Sequence, residues 1–220
     1  MTARRIVIFD WDGTLADSLG RIHGAMGRAA ESEGLPCPSV AAVNEVVGLS
    51  IREALALLHP GVGPGAVERL RIAYGDAFRA LDAEPVPLFP GISELLAALG
   101  DIGVAMAVAT GKSRAGLRRS LDQTALETRF EAVRCGDECR SKPHPQMVEE
   151  LLAAMGAVPE DAVLVGDSTH DMAMAAAAGV AAIGVSYGAC TAQRLSAFKP
   201  IVVVNDADAL GHAIACWVNR

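Results

Sequence analysis

The hydrophobic residues of this chain follow two different periodicities, which divide it into predicted strands and predicted helices. Ile6–Phe9 is an unbroken apolar run of β-branched and aromatic residues, typical of a short strand buried on both faces. Similar runs predict further strands at residues 104–109, 130–135, 162–165, 181–185 and 201–204. Because the long runs are continuous rather than alternating, they favour a parallel sheet that is covered on both sides.

A helical pattern without any strand signal occupies the region between the first two predicted strands. Its predicted helices are residues 17–33, 40–47, 51–58 and 64–81. In the last of them, apolar residues such as Val67, Leu70 and Tyr74 recur at three- and four-residue steps. Residues 82–91 then carry three prolines, which predict a stiff, extended connector. The sequence therefore predicts an all-helical insertion of four or five helices.

Predicted helices alternate with predicted strands from residue 91 onward. These helices are residues 92–99, 113–121, 145–155, 172–178 and 207–218. Such alternation is typical of α/β proteins with a doubly wound, mainly parallel Rossmann-like sheet. We therefore predict a core formed by residues 1–16 and 84–220, and a helical domain formed by residues 17–83 that is inserted into it.

The composition limits what such a protein can bind. A chain of 220 residues that is 51% hydrophobic can bury a sizeable core. Its net charge of −7 argues against binding to nucleic acid, which requires clustered lysine and arginine. No apolar run approaches the roughly 20 residues of a membrane-spanning helix, and the apolar run behind the basic start is too short for a signal peptide. Five scattered cysteines do not indicate a disulfide framework. We expect a cytoplasmic protein that binds neither nucleic acid nor membrane.

Polar residues concentrate at the points where predicted strands end. Asp10 and Asp12 follow the first strand, Thr110 and Gly111 follow the second, and Asp167 follows a later one. Because the carboxyl ends of parallel strands share one edge of the sheet, these groups should meet in one crevice. Carboxylate oxygens suit a hard cation, for which Mg²⁺ is the first candidate, and backbone N–H groups suit a phosphate.

Each of these residues also has a purely structural interpretation. An acidic turn after a strand is common, and Thr110 could cap the helix that follows it. Asp167 and Asp171 could likewise cap the next helix and favour its positive end. Lys142 could be a solvated lysine, the usual environment of that residue type. Residue type and position alone leave these alternatives open.

Four separated motifs resemble those of the haloacid dehalogenase-like (HAD) phosphohydrolases. In chain order they are Asp10-Trp11-Asp12-Gly13-Thr14-Leu15, Thr110-Gly111, Lys142-Pro143 and the stretch from Gly166 to Asp171. They occur in the family's order and span most of the chain. The resemblance is greatest to the phosphoglycolate phosphatase-like branch, which has a helical cap between the first two motifs. It implies that residues 17–83 form such a cap.

The resemblance implies an aspartyl-phosphate mechanism. Asp10 would be the nucleophile that attacks phosphorus. Asp12 would protonate the leaving oxygen and later take a proton from the attacking water. Lys142 would neutralise the growing charge on the phosphoryl oxygens and hold Asp10 ionised beside Asp12. Thr110 and the backbone N–H of Gly111 would bind phosphoryl oxygens.

The resemblance also implies a Mg²⁺ site. The ion would be bound by the Asp10 carboxylate, the Asp12 backbone carbonyl and Asp167. Asp171 would contact these ligands rather than the ion itself, or would reach the ion through a water. The implied partner is a small phosphorylated substrate, with phosphoglycolate as the first candidate, and the protein would be a monomer or a homodimer. In the cap, the loop of residues 48–50 with Arg52 is the candidate specificity element, with Arg52 pairing to a substrate carboxylate.

Two other functions are compatible with these motifs. A phosphotransferase such as a sugar-phosphate mutase would pass the same aspartyl-phosphate to a hydroxyl group, and a non-catalytic binding protein could retain the fold. Dehalogenation is disfavoured, because the family's dehalogenases lack the second acid, which is Asp12 here. A nucleotide-binding P-loop is excluded. Its motif requires a glycine five positions before Gly111, and the residue at that position is Met106.

Overall fold

The computed structural model describes residues 4–81 and 85–220, and a six-stranded sheet forms its centre. The strands are β1 (Ile6–Phe9), β2 (Ala105–Thr110), β3 (Ala132–Cys135), β4 (Ala162–Gly166), β5 (Ala181–Val185) and β6 (Val202–Val204). They lie in the order β3-β2-β1-β4-β5-β6, and every pairing is parallel. The predicted parallel sheet is therefore confirmed, with all six strands in the predicted places.

Ten α-helices accompany the sheet within the described residues. They are α1 (Leu19–Ser32), α2 (Val40–Val46), α3 (Ile51–Leu58), α4 (Pro64–Ala80), α5 (Ile92–Asp101), α6 (Arg114–Thr124), α7 (Gln146–Met155), α8 (Thr169–Ala178), α9 (Ala192–Ser196) and α10 (Ala207–Val218). The sequence did not predict α9, because a helix of five residues with only Leu195 buried shows no measurable periodicity. None of the described helices has the length and apolar character needed to cross a membrane.

Strand β1 shows why the sheet is covered on both faces. Val7 and Phe9 pack into the hydrophobic cluster that contains residues of α5, α6 and α10. Ile6 and Ile8 point the opposite way, into the cluster that contains residues of α7 and α8. Successive side chains of a strand alternate between faces, so a strand with apolar residues at every position must be buried on both. The prediction of a doubly wound α/β core is confirmed.

The chain reverses its direction of winding next to β1. From β1 it moves to β2 and β3 on one side, then crosses to β4, β5 and β6 on the other. The switch point therefore lies between β1 and β4, where the backbone N–H of Asp10 donates to the carbonyl oxygen of Val165 at 2.9 Å. In open α/β sheets, ligands bind outside the carboxyl ends of the strands at this point.

The four helices between β1 and α5 have a hydrophobic cluster of their own. Met26 of α1, Val43 of α2, Leu55 of α3 and Leu70 of α4 are all buried within it. The described part of this segment contains no strand, as the sequence predicts. An independent cluster of this kind allows the four helices to hold together as one unit.

The chain enters and leaves this helical segment through two adjacent stretches. The backbone N–H of Asp17 donates to the carbonyl oxygen of Pro87 at 2.9 Å, and that of Phe89 donates to Leu15 at 3.0 Å. Residues 82–84, which include the start of the predicted connector and the predicted boundary between residues 83 and 84, lie outside the described residues. The two ends of the helical insertion therefore lie side by side.

Candidate active site

Three buried carboxylates meet at the switch point of the sheet. Asp10 follows β1, while Asp167 and Asp171 follow β4, and oxygen atoms of all three lie within 4.8 Å of one another. All three side chains are buried. Like charges at this spacing repel each other strongly in a low-dielectric interior, so the cluster requires cations or protons to balance it.

Lys142 supplies one of these cations. Its Nζ lies 2.7 Å from Oδ1 of Asp10 and 2.7 Å from Oδ1 of Asp171. The lysine is fully buried, so the solvated-lysine interpretation is wrong. Burial by itself lowers the pKa of Lys142, but the charges of Asp10 and Asp171 outweigh it and raise the pKa above its usual value. Lys142 is therefore a fixed positive charge in the centre of the site.

The oxygens of Asp10 lack partners of their own. Lys142 contacts Oδ1 at ion-pair distance but without hydrogen-bond geometry, and neither oxygen has a hydrogen-bond partner among the described residues. Burial raises the pKa of Asp10 well above its ordinary value; Lys142 opposes that rise, and Asp171 and Asp167 add to it. Unpaired buried carboxylate oxygens are costly, and a ligand that engages them would remove that cost.

Asp167 is held by groups from two other loops. Thr14 donates through Oγ1 to Oδ1 of Asp167 at 3.1 Å, and the backbone N–H of Ala189 donates to Oδ2 at 2.7 Å. A Cβ atom at Gly13 or Gly188 would clash with the Asp167 carboxylate, so both loops approach it by their backbones. Burial and the neighbouring charge of Asp171 raise the pKa of Asp167 to about 7. The sequence analysis did not predict that the loop after β5 contributes to the site. This loop begins at the same edge of the sheet and contains Gly188.

Asp171 joins the carboxylate cluster to the start of α8. The Oγ of Ser168 donates to Oδ2 of Asp171 at 2.5 Å and accepts from its backbone N–H at 3.2 Å, which forms a capping box. The helix-cap interpretation is therefore correct for Asp171, whereas the N-cap residue is Ser168 and not Asp167. Lys142 and Ser168 therefore already engage both carboxylate oxygens of Asp171.

Thr110 and Gly111 lie at the carboxyl end of β2. Thr110 is buried, and its Oγ1 accepts from the backbone N–H of Lys112 at 3.2 Å. Helix α6 is capped by Ser113, whose Oγ accepts from Gly116, so the interpretation of Thr110 as a helix cap is wrong. At Gly111, a Cβ atom would clash with the carbonyl oxygen of Leu49, because the loop between α2 and α3 rests on this glycine.

The close approach at Gly111 yields a testable prediction. Gly111→Ala should displace the loop of residues 48–50 and lower by about 100-fold the phosphate-ester turnover that the family resemblance implies, since small misplacements at a reacting centre have effects of that size. Steady-state kinetics would measure it. The control is Gly65→Ala in α4, where a Cβ atom meets nothing within 4 Å. Equal activity in the two variants would contradict the prediction.

Asp12 lies apart from the three buried carboxylates. The Nζ of Lys112 contacts Oδ1 of Asp12 at 2.8 Å and Oδ2 at 3.0 Å. The same ammonium group lies 4.8 Å from the centre of the Phe78 ring on α4, within cation–π distance. In the sequence, Lys112 follows Thr110 and Gly111 at the end of the second predicted strand. Nothing in the local sequence indicates its pairing with a residue 100 positions away.

A cavity of about 260 Å³ lies between this edge of the sheet and the helical segment. Asp10, Asp12 and Thr110 line it from the sheet, and apolar side chains such as Met26 and Phe78 line it from α1 and α4. The predicted specificity loop also lines it, through Gly48 and Leu49.

Arg52 does not contribute to this cavity. Its Nη2 lies 2.9 Å from Oε2 of Glu68, and its side chain is 68% exposed. Arg52 is also absent from the cavity lining. The hypothesis that Arg52 pairs with a substrate carboxylate therefore has no support in this arrangement.

The fold and the site together define an α/β enzyme of Rossmann-like topology with an acidic centre at its switch point. The chain belongs to the haloacid dehalogenase-like hydrolase family, whose family model matches residues 7–185. That match includes all four motifs.

Among relatives with similar sequences, some are named phosphatases and others are named tyrosine-protein kinases. The chain is 37% identical to "Probable phosphatase IndB" of Dickeya dadantii, over 91% of this chain and 89% of the relative. It is 32% identical to a phosphoglycolate phosphatase of Pseudomonas putida, over 95% of this chain and 79% of the relative. It is also 33% identical to the tyrosine-protein kinase PtkA of Mycobacterium tuberculosis, over 92% of this chain and 69% of the relative.

A solved structure shares the fold. The crystal structure of a hydrolase from Pseudomonas syringae superimposes with a TM-score of 0.88, and the match covers 96% of this chain and 99% of that one. The sequence identity is 23%, so this likeness concerns the fold.

Proposed function

We propose that this protein is a Mg²⁺-dependent phosphatase of small phosphorylated metabolites that works through an aspartyl-phosphate on Asp10. The observation that carries the proposal is the buried Asp10 carboxylate, whose oxygens have no hydrogen-bond partner among the described residues although Lys142 adjoins it. A nucleophile must keep an oxygen free for the reacting atom. The phosphatase names of two relatives support the same reaction class.

The residues present fit a divalent cation. The cluster consists of carboxylate oxygens, the donors that hard cations prefer, and its negative charge exceeds what Lys142 alone can balance. The Asp10 carboxylate, the Asp12 backbone carbonyl and Asp167 would hold Mg²⁺, with Asp171 behind them. When bound, the ion would supply charge stabilisation to the phosphoryl oxygens and orient them.

The chain's own residues supply the remaining chemistry. An Asp10 oxygen attacks phosphorus in line with the leaving oxygen, which Asp12 protonates. Thr110 and the backbone N–H of Gly111 bind phosphoryl oxygens, and Lys142 stabilises the charge that grows on them. A water then attacks the aspartyl-phosphate, and Asp12 takes its proton. In the phosphotransferase alternative, which the kinase name of one relative keeps open, a hydroxyl group replaces this water.

The four-helix segment would act as a cap over the core. The proposed division is residues 17–83 as cap and residues 1–16 and 84–220 as core. Contacts that join them include a hydrogen bond from the backbone N–H of Ser50 to Oγ of Ser141 at 2.8 Å and the pairing of Arg194 with Glu45 at 2.7 Å. Closure would exclude water and limit the site to small substrates, of which phosphoglycolate is the first candidate. We expect the protein to act in the cytoplasm, as a monomer or a homodimer.

The direct test is phosphate release from a panel of phosphate monoesters, with and without Mg²⁺. We expect release that depends on the metal and that ranks the esters by their leaving groups. Hexose phosphates and hydroxyl acceptors in the same panel would detect phosphoryl transfer as a change in product rather than as free phosphate. No release or transfer from any ester by folded protein would reject the proposal.

Mg²⁺ should stabilise the protein more at about pH 8 than at about pH 5. Because burial raises the pKa of Asp167 from 3.8 to about 7, this group contributes stability that is complete below pH 3.8 and is lost as the pH rises through about 7. Bound Mg²⁺ should recover this lost stability at high pH. At low pH, a proton on Asp167 competes with the ion. Thermal unfolding with and without Mg²⁺ measures the effect. Asp167→Asn is the matched variant, and its Mg²⁺-induced shift should be smaller and the same at both pH values. An equal shift of the native protein at both pH values would contradict the prediction.

A further inference from the structure

The pairing of Asp12 with Lys112 needs an explanation that the proposed mechanism does not supply. That mechanism requires Asp12 to donate a proton in the first half of the reaction and to accept one in the second. Here the Nζ of Lys112 contacts both Asp12 oxygens, at 2.8 Å and 3.0 Å. The two side chains are only 11% and 13% exposed, so this is not a solvated surface pair. An ammonium group on both oxygens fixes the orientation of the carboxyl group and occupies the atoms through which it would exchange a proton.

Lys112 is fixed from both sides of the cavity. From the core, it directly follows Thr110 and Gly111 in the loop after β2. From the helical segment, the Phe78 ring of α4 covers its ammonium group, with 4.8 Å between Nζ and the ring centre. The position of α4 therefore bears directly on the position of Lys112.

Two other cations that line the cavity, Arg71 and Arg79, are engaged elsewhere. Arg71 pairs with Glu68 at 2.7 Å, and Arg79 pairs with Asp76. Neither of these acids lines the cavity. Among the described residues that line the cavity, Lys112 is the cation that contacts Asp12. Asp12 is the proposed catalytic acid that does not belong to the buried cluster.

We propose that Lys112 is a positioning residue that holds Asp12 as the base for hydrolysis of the aspartyl-phosphate. This inference rests on the proposed function. In the step it serves, the water oxygen bonds to phosphorus while one O–H bond breaks and Asp12 accepts the proton. The bond between phosphorus and Asp10 breaks, its electron pair returns to the Asp10 carboxylate, and inorganic phosphate is released. Lys112 orients the accepting oxygen throughout.

The same contact must open during the first half of the reaction. Asp12 can protonate the leaving oxygen only when the ammonium group has left at least one of its oxygens. The dianionic phosphate of an arriving ester is the anion that enters the same cavity, and it competes with Asp12 for Lys112. Lys112 therefore alternates between the substrate and Asp12, and its return to Asp12 marks the second half of the reaction.

The substitution Lys112→Met should distinguish formation of the aspartyl-phosphate from its hydrolysis. With 4-nitrophenyl phosphate, whose leaving group needs little protonation, we expect a burst of nitrophenolate of about one equivalent of enzyme, followed by turnover about 10- to 100-fold below the native rate. An alkyl phosphate should reach a similar low kcat, because both esters form the same aspartyl-phosphate. KM should not rise above the native value, because slower hydrolysis of the aspartyl-phosphate lowers KM together with kcat. Lys112→Arg, which retains a cation, should restore part of kcat.

Two further variants test the cause. Arg119→Met removes an exposed cation from the same cavity without touching Asp12, and its rate of phosphoenzyme hydrolysis should equal the native rate. Phe78→Leu keeps Lys112 but removes the ring over it, and should lower kcat in the same direction by a smaller factor. If Lys112→Met fails to fold in a melting experiment, Phe78→Leu carries the test.

Different results would contradict the positioning role of Lys112 and the proposed phosphatase function. A Lys112→Met enzyme without a burst and with native kcat, or with a raised KM alone, would overturn the positioning role. So would an Arg119→Met enzyme with the same burst. A native enzyme that turns esters over independently of Asp10 would overturn the proposed function itself, which the native protein and its Asp10 variant test without reference to Lys112.

Discussion

Replacing Asp10 with asparagine is expected to lower phosphate release from every phosphate monoester by at least about 10⁴-fold, as the loss of a nucleophile typically does. The amide keeps the shape of the side chain but cannot attack phosphorus or return as a leaving carboxylate. The measurement is phosphate release with saturating Mg²⁺, together with intact-protein mass after an acid quench, which should show no phosphoenzyme in the variant.

The fold of the Asp10→Asn variant should survive. The change removes one of three buried acids that repel each other, and Lys142 retains Asp171 at 2.7 Å. We therefore expect a melting temperature no lower than that of the native protein. Asp17→Asn, at an exposed acid shortly after β1, is the matched control and should keep native activity. Turnover by folded Asp10→Asn protein would exclude the aspartyl-phosphate route.

Replacing Lys142 with methionine should have the largest effect on stability. It leaves Asp10 and Asp171 buried without the cation that both contact, and breaking a buried pair of this kind costs about 3–5 kcal/mol. Activity should be lost as well, because the charge on the phosphoryl oxygens is no longer stabilised. Equilibrium unfolding in urea measures the first effect, and phosphate release measures the second.

A second substitution separates these two losses. Lys142→Met combined with Asp171→Asn removes one of the uncompensated acids, and it should recover part of the free energy of unfolding without recovering activity. If Lys142→Met unfolds at the native urea concentration, the buried cation does not balance the acids. If the double variant regains turnover, Lys142 has no role beyond stability.

The sheet could be predicted from the sequence because its signal is local. Continuous apolar runs such as Ile6–Phe9 have no polar face to present to water, so burial on both sides follows from the residues themselves. Helix α9 escaped prediction for the opposite reason, since it is short and depends on the burial of Leu195 against the rest of the fold. Such an element is fixed by tertiary packing rather than by its own pattern.

The site was predictable only in part. Polar residues at strand ends indicated that Asp10 and Asp167 would approach each other, because parallel strands share an edge. Nothing local indicated that Lys142 would reach between two acids; the resemblance to the family supplied that expectation. The Asp12–Lys112 pair and the backbone approach of Gly188 to Asp167 were missed altogether. Both depend on contacts between distant loops, which residue spacing does not encode.

The adjacent ends of the helical insertion make the proposed cap a separable part of this protein. Because Asp17 and Pro87 are hydrogen-bonded neighbours, a segment of different length or shape could replace the four helices without altering the spacing between β1 and α5. The acids and Lys142 would stay in place, since all of them come from the remaining chain. A single genetic exchange could thus give an existing reaction centre a new range of substrates, and selection could act on recognition and on chemistry independently.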